Sequence, residues 1–153
     1  MRESQDIPNG RLIIESIGLS RERLTAGTKS KVAVPAQLLR ELLSLVASAL
    51  PFDLDFYLTT YPDIRQAHEA GRIADPRKHF IDEGYIEGRF GSKPKVDEEF
   101  YKNTYPDVKS AIASGVVESA VNHYLRAGAF EARFANSESI ESTKRWLAIL
   151  GRE

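Results

Sequence analysis

Apolar positions recur at helical spacing over most of the chain beyond residue 34. In "PAQLLRELLSLVASAL", Leu38, Leu42, Leu45 and Ala49 form one stripe, and Leu39, Leu43, Val46 and Leu50 form a second. That pattern predicts a helix over Pro35–Leu50, opened by one proline and stopped by Pro51. The tail "SESIESTKRWLAILGRE" predicts a closing helix, with Ile140, Thr143, Leu147 and Leu150 on one face and Trp146 and Ile149 broadening it. Upstream, Arg11–Ile17 and Lys31–Val34 have short β-prone patterns separated by the turn-forming "TAGTKSK". They suit a two-stranded hairpin, which needs a partner surface because a lone hairpin is marginal in water.

Between these flanks the pattern occurs twice. Shifted by 44 residues, positions 52–90 align with 96–134 without a gap, and 14 of the 39 pairs are identical. Among the identities are Phe56/Phe100, Tyr57/Tyr101, Tyr61/Tyr105, Pro62/Pro106, Asp63/Asp107, His79/His123, Gly84/Gly128 and Arg89/Arg133. A gapless period of this length marks a supersecondary unit used twice.

Each copy divides into three short helices. Asp53 and Asp97 are N-caps of the first, with Phe52 or Val96 stapling onto the tyrosine inside it. Tyr61 and Tyr105 must leave the α region because proline follows, and Pro62 and Pro106 then open the second helix. Gly71 and Gly115 end that helix in a left-handed conformation. Asp75 and Ser119 cap the third helix, and Gly84 and Gly128 are expected to close it. The predicted fold is all-α: two tandem three-helix repeats capped by N- and C-terminal helices, preceded by the hairpin. The organisation reads 1–34 N-terminal segment, 35–51 leucine-rich helix, 52–94 first repeat, 95–136 second repeat and 137–153 capping helix.

The segments "FDLDFYLTTYPDI…HFIDEGYIEGRF" and "VDEEFYKNTYPDV…NHYLRAGAFEARF" resemble a bacterial repeat of the form FDxxYYLxxYPDV…HYxxxGxxEGRxP. The likeness covers residues 52–136. That repeat stands beside glycosyltransferase and polysaccharide-synthesis domains and in large calcium-binding adhesin-like proteins. The resemblance implies a carbohydrate or cell-surface setting and no particular chemistry. This chain departs from the pattern at Ala132, where the family has glycine, and after the final phenylalanine of each copy, where proline is missing.

Composition narrows the function. Apolar residues make up 42% and charged residues 28%, so the chain can bury a core. A net charge of −1 supplies no basic field for nucleic acid or anionic membrane. Without cysteine there is no disulfide, thiolate ligand or thiol nucleophile. The polar start lacks a signal-peptide core, and no apolar run is long enough to span a bilayer, so the expectation is a cytoplasmic protein; leaderless export or attachment to a particle is an open alternative.

The candidate binding or structural motif is the recurring set Tyr61, Asp63, His79, Arg89 and Tyr105, Asp107, His123, Arg133. Equivalent residues of successive repeats have no reason to converge on one ion or one scissile bond, so neither a metal site nor paired catalytic acids are expected. Each Arg can instead fork onto the Asp of its own copy, and each His can bond a carbonyl or a tyrosine. No phosphate loop or nucleophile elbow is present. The expected function is non-catalytic, without cofactor: an interaction or scaffolding module for a protein partner or a surface glycan, accessory to polysaccharide or cell-surface machinery. Leu38, Leu39, Leu42, Leu43 and Val46 are candidates for self-association as a homodimer through the N-terminal segment. Two alternatives stand beside this reading. "SKVAVPAQLLRELLSLV" resembles the strand and first helix of dimeric ribbon–helix–helix DNA-binding proteins, although its strand carries only Lys29 and Lys31 as basic residues. The other is an accessory of a carbohydrate-active enzyme with weak catalysis.

Overall fold

The computed structural model of the protein describes residues 9–25 and 31–152. Every regular element among them is helical, so the fold class is all-α. The chain divides into two compact units, Met1–Ala49 and Leu50–Glu153.

In the first unit the expected hairpin gives way to helix. Residues Gly10–Ser16 form α1, Arg21–Thr25 form α2 and Ala36–Ala49 form α3. Local polar chemistry explains the correction at α1. The Asn9 side chain accepts the Arg11 N–H as an N-cap, and Arg11 pairs with Glu15 one turn on. Both interactions favour a helix, and they oppose the β preference of the isoleucines. Residues 31–34 adopt no regular element, so the strand required by the ribbon–helix–helix alternative is not formed there. The turn between the two expected strands, with Lys29, lies largely outside the described residues.

The second unit contains α4 (Leu54–Thr60), α5 (Pro62–Glu69), α6 (Pro76–His79), α7 (Glu98–Thr104), α8 (Pro106–Ala113), α9 (Ala120–His123) and α10 (Ser139–Leu150). Side chains of Asp53, Asp75, Asp97 and Ser119 accept backbone N–H groups at the starts of α4, α6, α7 and α9. Pro62 and Pro106 open α5 and α8, where a missing N–H costs nothing. Gly71 and Gly115 end those helices at φ +70° and +74°.

The third helix of each copy behaves differently from its expectation. It does not close at Gly84 or Gly128. α6 runs on into a π-helical turn, Phe80–Gly84, and α9 into Tyr124–Gly128. The left-handed residues come four positions later, at Gly88 (φ +80°) and Ala132 (φ +57°). There the N–H of Arg89 reaches the Gly84 carbonyl and that of Arg133 the Gly128 carbonyl, both at 2.8 Å, as in a Schellman end. Gly84 and Gly128 are needed for space instead. A β-carbon at either would stand under 3.0 Å from the hydroxyl of Tyr57 or Tyr101.

Those tyrosines are the centres of packing. Tyr57 and Tyr101 are fully buried, with Phe80 beside the first, and Val108 and Ala120 beside the second. Phe52 packs on Tyr57 with ring centroids 5.2 Å apart. The outgoing chain is tied back by Asp53 N–H to the Gly91 carbonyl at 2.8 Å, and by Asp97 N–H to the Ala135 carbonyl at 3.0 Å. α10 is the least embedded helix of this unit. None of its residues is buried, and Trp146, Ile149 and Leu150 are each more than 60% exposed.

Candidate functional site

The joint between α4 and α5 gathers three of the candidate residues. Tyr61 leaves the helical region at φ −119° ahead of Pro62, which turns its ring toward the outgoing chain. Its hydroxyl accepts the Phe90 N–H at 2.7 Å. Arg89, one residue earlier, lies over the Tyr61 ring at 4.9 Å and forks onto both carboxylate oxygens of Asp63 at 3.1 and 2.8 Å. Glu87 accepts from its Nε at 2.7 Å. The guanidinium is thus stacked on an aromatic face and paired with two carboxylates.

The second joint reproduces this geometry. Tyr105 accepts from Phe134 N–H at 2.7 Å, Arg133 lies 4.8 Å over the Tyr105 ring, and Asp107 takes the fork at 3.0 and 2.8 Å. Hydrogen bonding to the arginine holds Asp63 and Asp107 below the usual carboxylate range. The same bonds raise Arg89 and Arg133 still further above neutrality. Both arginine side chains are about four-fifths buried, whereas both aspartates are mostly exposed.

His79 and His123 sit apart from the joints. Each Nδ1 is 3.0 Å from a tyrosine hydroxyl, Tyr57 for His79 and Tyr101 for His123. Burial pushes the Tyr57 phenol upward and the Tyr101 phenol up to about 12. His68 is bonded to the Ile73 carbonyl at 2.7 Å. The two copies of the motif are each built within their own helices: Asp63 and His79 bond Arg89 and Tyr57, and Asp107 and His123 bond Arg133 and Tyr101. The polar groups that recur in the sequence are therefore occupied by intramolecular partners.

Of the five candidates for self-association, Leu39, Leu42 and Val46 are exposed along α3 at i, i+3, i+7 spacing, while Leu38 and Leu43 are half-buried.

A concave surface of the second unit lies elsewhere, between the end of the first copy, the linker and residues 129–130 of the second. It is an open groove of about 850 Å³, within the range of ligand-binding clefts. Leu50, Pro51, Phe80, Tyr85, Phe90, Pro94 and Phe130 supply an apolar lining, and Arg89, Lys93 and Lys95 supply its charge. Phe130 is 58% exposed. Its ring crosses the Gly88 backbone so closely that a β-carbon there would stand 2.5 Å from it. Phe90 meets Tyr124 at 6.0 Å between centroids. The groove is thus formed where aromatic residues of the two copies lean together.

The groove escapes a repeat comparison because Phe130 and the two lysines that distinguish it do not recur. Phe130 stands where the first copy has Ile86, and the lysines belong to the linker "SKPK" between the copies. The one available signal was that linker, a pair of cations bracketing a proline beside two aromatic segments. Comparison with family models, with curated proteins and with solved structures finds no match.

Proposed function

We propose that this protein is a non-catalytic interaction module: two tandem three-helix repeats whose junction receives a protein partner. The observation that supports this most is the division of labour between polar and apolar groups. The recurring Tyr, Asp, Arg and His side chains are engaged with one another, while the groove beside them is apolar and open. Catalysis requires polar groups aimed at a substrate; docking of apolar side chains requires a groove of this kind. The Asp–Arg forks and Tyr–His bonds are scaffold in this reading. The repeat's resemblance supplies the setting, as an accessory to polysaccharide or cell-surface machinery. The test is affinity capture from cells of the native source, with wild-type protein and a Phe130→Asp variant as baits. A protein retained by the first and lost by the second supports the reading. Equal retention by both removes the groove from it.

A second reading concerns self-association. The exposed stripe Leu39, Leu42 and Val46 favours a homodimer through α3, since an apolar stripe can meet its own copy across a two-fold axis. Light scattering at about 100 μM, far above the Kd of a stable interface, tests it. A monomer leaves these residues as solvent-exposed surface.

A further inference from the structure

The groove between the two copies has a charge that the chain as a whole lacks. Its lining holds three cations and no carboxylate, in a protein of net charge −1. The cations are unequal. Arg89 is already neutralised by Asp63 and Glu87. Lys93 and Lys95 are exposed, and among the described residues neither forms an ion pair. They stand on either side of Pro94 in the groove lining, and the proline restricts the backbone between them. In the same lining, Phe130 is largely exposed and Phe80 is buried.

We infer that the groove takes an acidic, apolar peptide segment: an aromatic or leucine side chain seated against Phe130 and Tyr85, followed by carboxylates that meet Lys93 and Lys95. This rests on the interaction-module reading and names the partner's chemistry. Three features select the occupant. Unpaired cations on an apolar rim favour a ligand that carries opposite charge beside an apolar anchor. The groove is open to solvent, which suits a peptide segment and does not enclose a lipid chain. A second copy's exposed helix α10 is also poorly matched: Lys144 and Arg145 directly precede Trp146, Arg152 lies two residues beyond Leu150, and the helix holds a single carboxylate, Glu141. Basic residues flanking that apolar anchor bring like charge to a groove whose only charges are cations, which opposes docking.

The experiment is a selection of random dodecapeptides displayed on phage against the immobilised full chain. Recovered peptides are counter-screened on Phe130→Asp and on the double variant Lys93→Glu/Lys95→Glu. Both lysines are exposed, so the double variant should keep the wild-type melting temperature, which circular dichroism checks. The expected result is enrichment of peptides pairing Trp, Phe or Leu with Asp or Glu. Their binding should fall at least about tenfold on the charge-reversed protein and weaken as salt shortens the screening length. Peptides that need Phe130 but carry no acidic pattern, or bind the charge-reversed protein equally, overturn the inference and leave the interaction module standing. Recovery of no groove-dependent peptide overturns both. Binding of a fatty-acid probe in place of peptides also overturns the inference.

Discussion

Tyr57 and Gly84 fit together only because residue 84 has no side chain. The Tyr57 hydroxyl occupies the space a β-carbon would need, and the tyrosine is fully buried, so its ring has nowhere to retreat. Tyr101 and Gly128 repeat the relationship. Gly84→Ala and Gly128→Ala should each destabilise the fold by about 1–3 kcal/mol through overpacking. Helix propensity alone would predict a gain of up to about 1 kcal/mol. The sign of the change in chemical denaturation distinguishes space from conformation.

Gly88 and Ala132 hold equivalent left-handed positions but should respond in opposite directions. Ala132 carries a β-carbon at φ +57°, a conformation that costs an L-residue roughly 1 kcal/mol. Ala132→Gly should therefore raise the stability by about that amount, less the added freedom of the unfolded chain. Gly88→Ala should lower it, because the new methyl meets both an unfavourable φ of +80° and the Phe130 ring. The pair of variants, compared by thermal midpoint, tests the junction geometry without touching a polar group.

Stability should decline at both extremes of pH for separate reasons. The arginine forks depress Asp63 and Asp107 in the folded state. Their stabilisation is full above the ordinary carboxylate value of 3.8 and is lost as pH falls below it toward the folded values. Tyr57 and Tyr101 are raised by burial, so the folded state keeps its phenols protonated. Their stabilisation is full below 10.0 and is lost as pH rises from there through about 12 for Tyr101. Asp63→Asn with Asp107→Asn should flatten the acid limb only. Tyr101→Phe should weaken the alkaline limb only. Melting temperatures across pH measure both.

Arg89→Lys should be destabilising although charge is conserved. An ammonium group cannot form the two-pronged contact with Asp63, stack flat on Tyr61 and reach Glu87 together. Arg89→Ala should cost about 1–2 kcal/mol, combining lost bonds with lost packing of the largely buried stem. Urea titration of the wild type and the two variants should give the order wild type, Lys, Ala.

The helix starts were legible because caps and prolines act locally. Asp53, Asp75, Asp97 and Ser119 could be read as caps from their immediate neighbours, and Pro62 and Pro106 fix their helix starts alone. The left-handed ends at Gly71 and Gly115 were legible for the same reason. Gly84 and Gly128 were misread because their constraint is tertiary: the hydroxyl that forbids a β-carbon comes from a tyrosine 27 positions earlier. The helix at Gly10–Ser16 was misread as strand because isoleucines outweighed Asn9 and the Arg11–Glu15 pair, two side-chain interactions that no periodicity count includes. The groove was the least legible feature, signalled only by the linker between the copies. A repeat comparison rewards residues that match, and Phe130, Lys93 and Lys95 are residues that do not.

The measurement that bears most directly on the division between scaffold and binding surface is a paired one on two variants. Asp63→Asn/Asp107→Asn and Phe130→Asp are each assayed for thermal midpoint and for calorimetric affinity toward the captured protein partner. The account predicts that the double aspartate variant melts earlier and binds as the wild type does. It predicts that Phe130→Asp melts close to the wild type and loses binding. An aspartate variant of unchanged midpoint that no longer binds would contradict it, and would make the recurring Asp and Arg the contact with the partner.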